Sequence, residues 1–443
     1  MKKWKAFSML AFSLGLVFLI AGCSGSDESA GGDGDSESSG SDSEDTKTIE
    51  FMHLWPEGSS KDHYDIVNEI IADFEEENSG VEVNLEVLSN EQYKDKMQVL
   101  STSGELPDVG MTWPAGYLEP YVEGEMFAPL DDVLDDGLQE EFVAGTTEAY
   151  AMNDNTYGLP LELNIATVFY NQSIFDEYGL EEPETYEEFN NIVSTLNEND
   201  VAPVALGNKD RWTGSLWYMY LADRIGGAEV LNSAIDRSGS FEDPALIEAA
   251  AKSQELAEAD TFINGFNGLA DQEAKSMFMN NQAAMYLIAT WDLPNYTTNE
   301  DVPQEFRDSV DFFNFPTVDG EGDKSSFVGG PGVGLFVAED SEVKDESKEF
   351  VQYFTEQWGE KSVTQAGVIP ATKVDGEEVD LPDLYVEVLD ELNNASNLTL
   401  FADVQMSSGV AEEHLDGIQS LFGMEMTPEE FAEMHEEALS AEE

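Results

Sequence analysis

Hydrophobic and polar positions in the first third of the chain switch repeatedly between the period of a strand and that of a helix. An apolar run over residues 48–55 predicts a buried strand, and apolar residues at helical spacing over 67–74 predict the helix that follows. Strict alternation over 81–87 predicts a second strand, and Ser89 with Gln92 forms a capping-box pattern that opens another helix. Strands that alternate with helices in this way predict a doubly wound α/β fold with a parallel sheet.

The alternation continues into the second half of the chain. A β-rich run over 165–171 and a glycine-punctuated run over 327–338 predict further strands. Thr185, Asp243 and Thr427 each precede a helical stretch and are predicted to cap it. No repeat of fixed period is found, so the pattern favours one α/β architecture over an array of identical units.

The first 22 residues have the pattern of a bacterial export signal. Three lysines among the first five residues form a basic start, and an almost uninterrupted apolar run covers 7–20. Cys23, the single cysteine of the chain, directly follows Ile20-Ala21-Gly22, a sequence similar to the lipobox of bacterial lipoproteins. The sequence therefore predicts a signal peptide over 1–22 and a lipidated Cys23, which would anchor the protein at the extracellular face of the cell membrane. An ordinary signal peptide with an incidental cysteine is the alternative.

Composition separates the anchor from the folded part of the chain. Residues 23–46 start at the predicted lipidated cysteine and contain no aromatic and no branched aliphatic residue. Such a segment cannot bury enough apolar surface to offset its ordering entropy, so it is predicted to be a disordered acidic tether. The whole chain is 41% hydrophobic, which is enough for a large core in the remaining residues.

The charge of the chain is extreme. It contains 93 acidic residues against 19 Lys and Arg, for a formal net charge of −74. Nucleic acid and anionic lipid surfaces are therefore disfavoured as partners. We expect a halophilic protein whose surface charge is screened by concentrated salt, with adaptation to high external pH as the alternative.

Several short patterns occur in a characteristic order between Ile49 and Ala371. The patterns are Val81-x-Val83, Tyr93-x-x-Lys96, Ser103-Gly104-x-x-Pro107-Asp108-Val109, Tyr157-Gly158-Leu159-Pro160, Phe169-Tyr170-Asn171, Ala283-Ala284-Met285 followed by Trp291, Gly329-Gly330 before Gly334, and Gly367-x-Ile369-Pro370-Ala371. Each is weak alone, but together and behind a lipobox they resemble the family 1 extracellular solute-binding proteins, a family that includes sugar receptors distantly related to the maltose-binding protein.

The resemblance implies a class II periplasmic-binding-protein-like fold with two discontinuous, doubly wound lobes joined by hinge strands. Lobe 1 is expected to comprise 47–160 plus 333–373, and lobe 2 to comprise 161–332 plus 374–443. A solute held between the lobes would be a sugar, with an oligosaccharide favoured. The implied partner is an ABC permease, and a monomer without cofactor, metal or catalytic residue is expected.

Four tryptophans are the leading candidates for contact with a sugar. Sugars present flat C–H faces, which suit aromatic platforms, and rims of hydroxyls, which suit hydrogen-bonding side chains. Trp55, Trp113, Trp212 and Trp291 fall at strand ends or in polar turns, where open α/β sheets bind their ligands. Each could instead pack a core. Helical spacing accounts for the two tryptophans at positions 217 and 358, so both are assigned to the core.

Polar candidates occupy the hinge crossings and the turns near these tryptophans. Asn164 lies where the resemblance implies a ligand-contacting side chain, and Glu162 is expected to face the other side of the strand. Asp210 and Arg211 flank Trp212 and could form a pair at the rim of a site, or an ordinary surface ion pair. The complete polar set is Asn164, Arg211, Asp210, Glu57, Asp292 and Gly330.

Two other classes of function remain open from the sequence. A secreted glycosidase would need two carboxylates, but a chain with 93 acids places some pair at a suitable separation by chance. The Gly-x-Ser-x-Gly, His-Glu-x-x-His and Walker patterns are absent, and the spacing of the four histidines does not suit a metal. The second class keeps the fold but binds a polyamine, a metal ion or an anion. The spread of tryptophans favours a sugar.

Overall fold

The computed structural model describes residues 46–135, 137–318, 322–373 and 381–442. The predicted signal peptide, Cys23 and the predicted tether up to residue 45 lie outside these ranges. The strands within the described residues are β1 (Lys47–His53), β2 (Val81–Val87), β3 (Val109–Thr112), β4 (Ala151–Met152), β5 (Asn155–Thr156), β6 (Leu159–Pro160), β7 (Leu163–Asn171), β8 (Val204–Ala205), β9 (Met285–Ala289), β10 (Val310–Phe313), β11 (Ser326–Pro331), β12 (Gly334–Val337) and β13 (Asn397–Thr399).

Helices alternate with these strands, and the predicted N-caps are found. Complete capping boxes start α2, α6 and α17, and the Asp243 side chain accepts from the backbone N–H of Ala245 at the start of α9. The α-helices are α1 (Lys61–Glu77), α2 (Asn90–Ser103), α3 (Glu119–Glu123), α4 (Asp131–Asp135), α5 (Gln172–Tyr178), α6 (Tyr186–Glu198), α7 (Trp212–Gly226), α8 (Glu229–Ile235), α9 (Pro244–Glu258), α10 (Asp271–Met279), α11 (Leu293–Tyr296), α12 (Gln304–Arg307), α13 (Lys344–Lys361), α14 (Asp383–Asn393), α15 (Ala402–Gln405), α16 (Ser408–Phe422) and α17 (Pro428–Ala441).

The first sheet has the strand order β2-β1-β3-β12-β6. β1 runs parallel to β2 and β3, whereas β12 runs antiparallel to β3 and β6. Helices α1 and α13 pack beside it through Phe51, Phe74, Phe350 and Phe354, whose rings meet edge to face. The parallel part corresponds to the alternating pattern before residue 113. The antiparallel β12 comes from far along the chain, where local periodicity gives no information on its partner.

The second sheet is mixed. Its order is β13-β11-β7-β9-β8, and β10 also pairs with β7. β7 runs antiparallel to β9, β10 and β11, while the β8–β9 and β11–β13 pairs are parallel. All nine residues of β7 are buried, which explains why its sequence lacks polar alternation. The parallel arrangement suggested by the sequence therefore does not extend to this sheet, because its antiparallel pairs join segments distant in sequence.

The chain passes between the two sheets at neighbouring places. Only two residues separate β6 from β7, and only two separate β11 from β12. Backbone hydrogen bonds join these crossings: Leu161 N–H donates to the Val333 carbonyl, and Gly332 N–H donates to the Glu162 carbonyl, both over 2.9 Å. Ala371 N–H also donates to the Leu161 carbonyl over 3.1 Å, so a third segment is tied to the same place.

A single turn of 3₁₀ helix after β3, Ala115–Tyr117, lies against the C-terminal part of the chain. A Cβ added to Gly116 would come within 2.1 Å of the Met406 carbonyl oxygen, so the two backbones are in direct contact. Close by, Lys94 on α2 lies 3.9 Å from the Asp403 carboxylate on α15. Met406 and its neighbours pack into the core around the second sheet, so this contact connects the surroundings of the two sheets.

Two tryptophans are fully buried, as predicted. Trp217 packs in the core around the second sheet and Trp358 in the core around the first. Among the helices within the described ranges, none combines the length and the apolar character needed to cross a bilayer.

Candidate functional site

A cavity lies between residues that pack around the two sheets. Its empty space is about 1210 Å³, which includes solvent at its mouth. One side is formed by residues between 54 and 63, by Ser89, Asn90 and Lys94, and by Trp113. The other side is formed by residues of α7 and α10, by residues between Trp291 and Asn299, and by Phe401, Asp403 and Val404. Glu162, Gly332 and Val333, at the crossings between the sheets, also line the cavity.

Partly buried aromatic rings stand on both sides of this cavity. Trp212 and Trp291 meet edge to face with their ring centroids 5.9 Å apart, and Phe401 lies 5.6 Å from Trp291. On the other side, Trp113 packs against Tyr117 at 4.9 Å. Each of these three tryptophans contacts a hydrophobic core and also lines the cavity, so its ring is held in a fixed orientation.

Trp55 forms part of the cavity wall from a more buried position. Its side chain is only 5% exposed, and its ring stacks on Trp358 with centroids 4.7 Å apart and planes 7° from parallel. The Trp358 indole N–H donates to the Leu161 carbonyl over 3.1 Å. The stacked pair therefore joins the cavity wall to the first crossing. Most of the Trp55 ring lies in the hydrophobic core around the first sheet.

A buried charge cluster lines the side formed by α10. Lys275 donates to Asp292, whose carboxylate also accepts from the Tyr296 hydroxyl over 3.1 Å. Asp271, one helical turn before Lys275, accepts from the Tyr286 hydroxyl. Burial raises the pKa of Asp271 to about 6, and Asp292 adds to this while Lys275 opposes it. Burial lowers the pKa of Lys275, but the two aspartates outweigh burial, so this pKa is raised and the ammonium form is held.

Glu162 and His63 form a second buried polar group at the crossing. The His63 Nε2 lies 3.1 Å from a carboxylate oxygen of Glu162, and both residues are less than 5% exposed. The other carboxylate oxygen of Glu162 lies 3.4 Å from the Asn164 amide nitrogen. The expectation that Glu162 faces away from Asn164 was wrong, because residues two apart in an extended chain lie on the same face.

Half of the residues predicted for the site line the cavity, and half do not. Those that line it are Trp55, Trp113, Trp212, Trp291 and Asp292. The Asn164 amide oxygen accepts from the Thr290 hydroxyl, so this side chain joins β7 to the turn before Trp291, behind the wall. Gly330 lies opposite Asn164 in the β7–β11 pair, and its φ of 142° suits glycine.

The other three polar candidates are turned to other partners. Arg211 forms ion pairs with Glu412 and Asp416 of α16, which corresponds to the surface-pair alternative. Asp210 accepts from the Asp271 backbone N–H over 2.7 Å, so it fixes the start of α10. Glu57 is exposed in the turn after β1 and does not line the cavity.

The cavity contains polar residues that sequence reasoning did not select. Lys61, Lys94 and Lys275 line it together with Asp62 and Asp271. One available signal was the rarity of cations, because the chain has only 19 Lys and Arg and three of the lysines are found here. Within the described residues, no group of three or more His, Cys, Asp or Glu side chains is arranged to hold a metal ion.

The sequence of this chain, which forms a cavity near two closely spaced crossings between α/β sheets, matches a known family. The sequence model for bacterial extracellular solute-binding proteins covers residues 57–357, more than half of the chain. The chain belongs to this family. The fold implied by the resemblance of the sequence motifs is thereby confirmed, and so is the resemblance itself.

Relatives of this solute-binding protein cover most of its length. The multiple sugar-binding protein of Streptococcus mutans is 25% identical over 80% of this chain and 79% of its own. An uncharacterised ABC transporter extracellular-binding protein of Pyrococcus horikoshii is 22% identical over 66% of this chain, which spans 65% of that relative. A solved structure concerned with xylan utilization by the thermophilic bacterium Caldanaerobius polysaccharolyticus is 30% identical, with a TM-score of 0.83, and covers 88% of this chain and 99% of that one.

Proposed function

We propose that this protein binds an oligosaccharide in the cavity and delivers it to an ABC importer. The observation that carries the proposal is the position of Trp113 on one side and of Trp212 and Trp291 on the other. Aromatic rings can stack on the C–H faces of sugars, while the charged and amide side chains between them can hydrogen-bond the hydroxyls. Both kinds of group occur on both sides, so a sugar of several rings could contact them together.

The named relatives support this assignment of the ligand class. The Streptococcus mutans relative is a multiple sugar-binding protein, and the Caldanaerobius polysaccharolyticus structure concerns the use of xylan. We infer that the present protein acts as a binder without turnover, as a monomer in front of a membrane permease. The function needs no cofactor, because recognition of a sugar requires only stacking and hydrogen bonds.

The test is calorimetric titration of the purified protein, in concentrated NaCl, with xylotriose, maltotriose, raffinose and chitotriose. At least one should bind with a dissociation constant in the micromolar range or below, and chromatography should recover it intact after a long incubation. Hydrolysis of the bound sugar would instead favour a glycosidase. If none of the four binds, nor their mono- and disaccharide components, the proposal is wrong.

A polyamine is the second candidate, and the charge of the cavity favours it. Five carboxylates (Asp62, Glu162, Asp271, Asp292 and Asp403) line the cavity, against three lysines. Two of these carboxylates already face Lys275, which leaves less negative charge for a cationic solute. Spermidine therefore serves as the competing ligand in the same titrations, and binding of spermidine but of no sugar would reverse the order of the two proposals.

We propose that the two lobes divide at the crossings, with 47–160 plus 333–373 in lobe 1 and 161–332 plus 374–443 in lobe 2. Two contacts across the cavity are candidates for bonds that break on opening. One joins the Thr298 hydroxyl to the Asp62 carboxylate over 3.1 Å, and the other is the Lys94–Asp403 pair. A solute that touches both lobes would favour closure to the extent that it binds the closed state more tightly than the open state.

Replacement of Cys23 by serine should release the protein from the membrane. The thiol is the acceptor for the proposed lipid, and Cys23 is the only cysteine in the chain. Fractionation of cells that express the wild type and Cys23→Ser, followed by immunoblotting, measures the effect, and the released variant should bind sugar with unchanged affinity. A variant that stays in the washed membrane fraction would argue against lipid anchoring.

The stability of the protein should increase with salt concentration. With 93 acidic residues against 19 Lys and Arg, repulsion between the negative charges opposes the compact state. Salt screens this repulsion, because the Debye length falls from about 10 Å at 0.1 M to about 3 Å at 1 M. Thermal unfolding midpoints in 0.05 M and 2 M NaCl measure the effect. To separate screening from general salting-out, the midpoint is also measured in isosmotic sucrose, which should raise it less. An equal rise in both solutes contradicts the electrostatic explanation.

A further inference from the structure

A buried chain of hydrogen bonds runs from the cavity wall into the C-terminal helices. The face of α7 that lines the cavity contains Ser215, whose hydroxyl oxygen lies 2.7 Å from the Nε2 of His414 on α16. The Nδ1 of His414 lies 2.8 Å from the Nε2 of His435 on α17. The Nδ1 of His435 lies 2.8 Å from the backbone carbonyl oxygen of Phe431. We call Ser215, His414 and His435 the serine–histidine relay.

The far end of the relay determines where each proton lies. A carbonyl oxygen can only accept, so the Nδ1 of His435 must carry a proton and donate it to Phe431. In a neutral imidazole the other nitrogen is then unprotonated, so the Nε2 of His435 accepts from the Nδ1–H of His414. The same reasoning leaves the Nε2 of His414 unprotonated. The hydroxyl proton of Ser215 must therefore point at His414.

The environment of the relay keeps both rings neutral. His414 and His435 are fully buried, and the Ser215 side chain is almost so. Burial, together with the neighbouring His435, lowers the pKa of His414 well below its ordinary value, and burial lowers the pKa of His435 to about 4. Because His414 resists protonation, it is a poor base for turning Ser215 into a nucleophile, although the serine and histidine are within hydrogen-bonding distance.

We propose that the serine–histidine relay makes Ser215 an obligate hydrogen-bond acceptor in the solute site, so that the site selects a ligand that offers a donor at this point. The donor would be a hydroxyl or an amide N–H. An ether or methoxy oxygen at the same point would be rejected, because it would face the Ser215 lone pairs without a proton between them. The ligand part of this inference rests on the proposed function, whereas the direction of the hydrogen bonds does not.

Nitrogen-15 NMR of the histidine rings in the solute-free protein tests the direction of the relay. Both His414 and His435 should show protonated Nδ1 and unprotonated Nε2 resonances at pH 7, which is the less common tautomer of free histidine. The assignment uses single replacements of the two other histidines, His53→Gln and His63→Gln. A protonated Nε2 on His414 overturns the proposal, whichever sugar binds.

Titration of Ser215→Ala tests the contact with the solute. The probe is the trisaccharide among xylotriose, maltotriose, raffinose and chitotriose that binds the wild type most tightly. Its affinity should fall about tenfold, because one hydrogen bond to a buried partner is lost. The matched control is Ser253→Ala, which removes another fully buried serine hydroxyl on a helix, where it donates to the Ala249 carbonyl away from the cavity. The control should bind within twofold of the wild type.

Singly O-methylated versions of the same trisaccharide identify the donor. In the wild type, one methylated position should reduce affinity strongly, and in Ser215→Ala that position should lose most of its effect. Equal affinity of Ser215→Ala and the wild type overturns the contact even if the tautomers are as proposed. Failure of all four sugars to bind overturns the proposed function instead, and the NMR result then decides the direction of the relay alone.

Discussion

Alanine in place of Trp291 or Trp113 should weaken oligosaccharide binding by about tenfold to a hundredfold, since each change removes a ring that can stack on the sugar. The two residues stand on opposite sides of the cavity. Binding that requires both lobes should therefore suffer from either replacement. Calorimetry with the best-binding trisaccharide measures the loss, and thermal unfolding of the solute-free variants shows how much of it comes from stability.

Trp358→Ala is the matched control for the two cavity tryptophans. Trp358 is 1% exposed, stacks on Trp55 and hydrogen-bonds the Leu161 carbonyl. Its removal should cost about 3–5 kcal/mol of unfolding free energy because it leaves a cavity in the core. Trp291 and Trp113 are only partly buried, so their replacement should cost less stability. An affinity within twofold of the wild type for both cavity variants, or a loss of stability equal to that of Trp358→Ala, would refute the assignment.

Lys275→Met should destabilise the protein by about 3–5 kcal/mol, because it leaves Asp292 buried without its cation. Lys275 and Asp292 are 7% and 1% exposed, so solvent cannot replace the lost ion pair. Urea unfolding in concentrated NaCl measures the effect. The double variant Lys275→Met/Asp292→Asn removes both charges and should recover more than half of the loss. A double variant no more stable than Lys275→Met would show that the damage comes from packing instead of charge.

The same variant should show a characteristic dependence on pH. Burial raises the pKa of Asp271 from 3.8 to about 6 in the folded protein. The folded state therefore favours the neutral carboxyl more than the unfolded state does. Its contribution to stability is therefore most favourable below about pH 4 and is lost as the pH rises through about 6. Without Lys275, which lowers this pKa, the carboxyl should stay neutral to a higher pH. The stability difference between wild type and Lys275→Met should thus shrink from pH 8 to pH 5.

The sequence predicted the fold where the information was local. Three capping boxes and the alternation over 81–87 depend on neighbours within a few residues, and the helical spacing that assigned Trp217 and Trp358 to the core is also a local pattern. The resemblance of ordered motifs to the family supplied the expectation of two lobes joined by hinge strands. The mixed second sheet could not be predicted from periodicity, because a fully buried strand such as β7 has the same hydrophobic pattern with parallel or antiparallel neighbours.

The candidate site could be predicted only in part, and the reason is again the range of the interactions. Tryptophans at strand ends were a usable signal, because a large apolar ring in a polar turn has few structural uses. Arg211 had an equally good local argument, yet its partners Glu412 and Asp416 lie 201 and 205 residues away on another helix. Lys275 was missed because its local sequence gave no sign of a buried site. Its i, i+4 spacing from Asp271 is that of an ordinary surface pair, and only the fold buries it beside Asp292.

The contact at Gly116 has a consequence for which sequences this protein can tolerate. The backbone conformation of Gly116 does not by itself require a glycine, because its φ is not positive. The constraint comes from the Met406 carbonyl, only 2.1 Å from where a methyl group would stand. Natural variation at position 116 should therefore be restricted by a segment almost 300 residues away. A larger residue there could be accepted only together with a shift of the backbone around 406, so the two positions should change in concert.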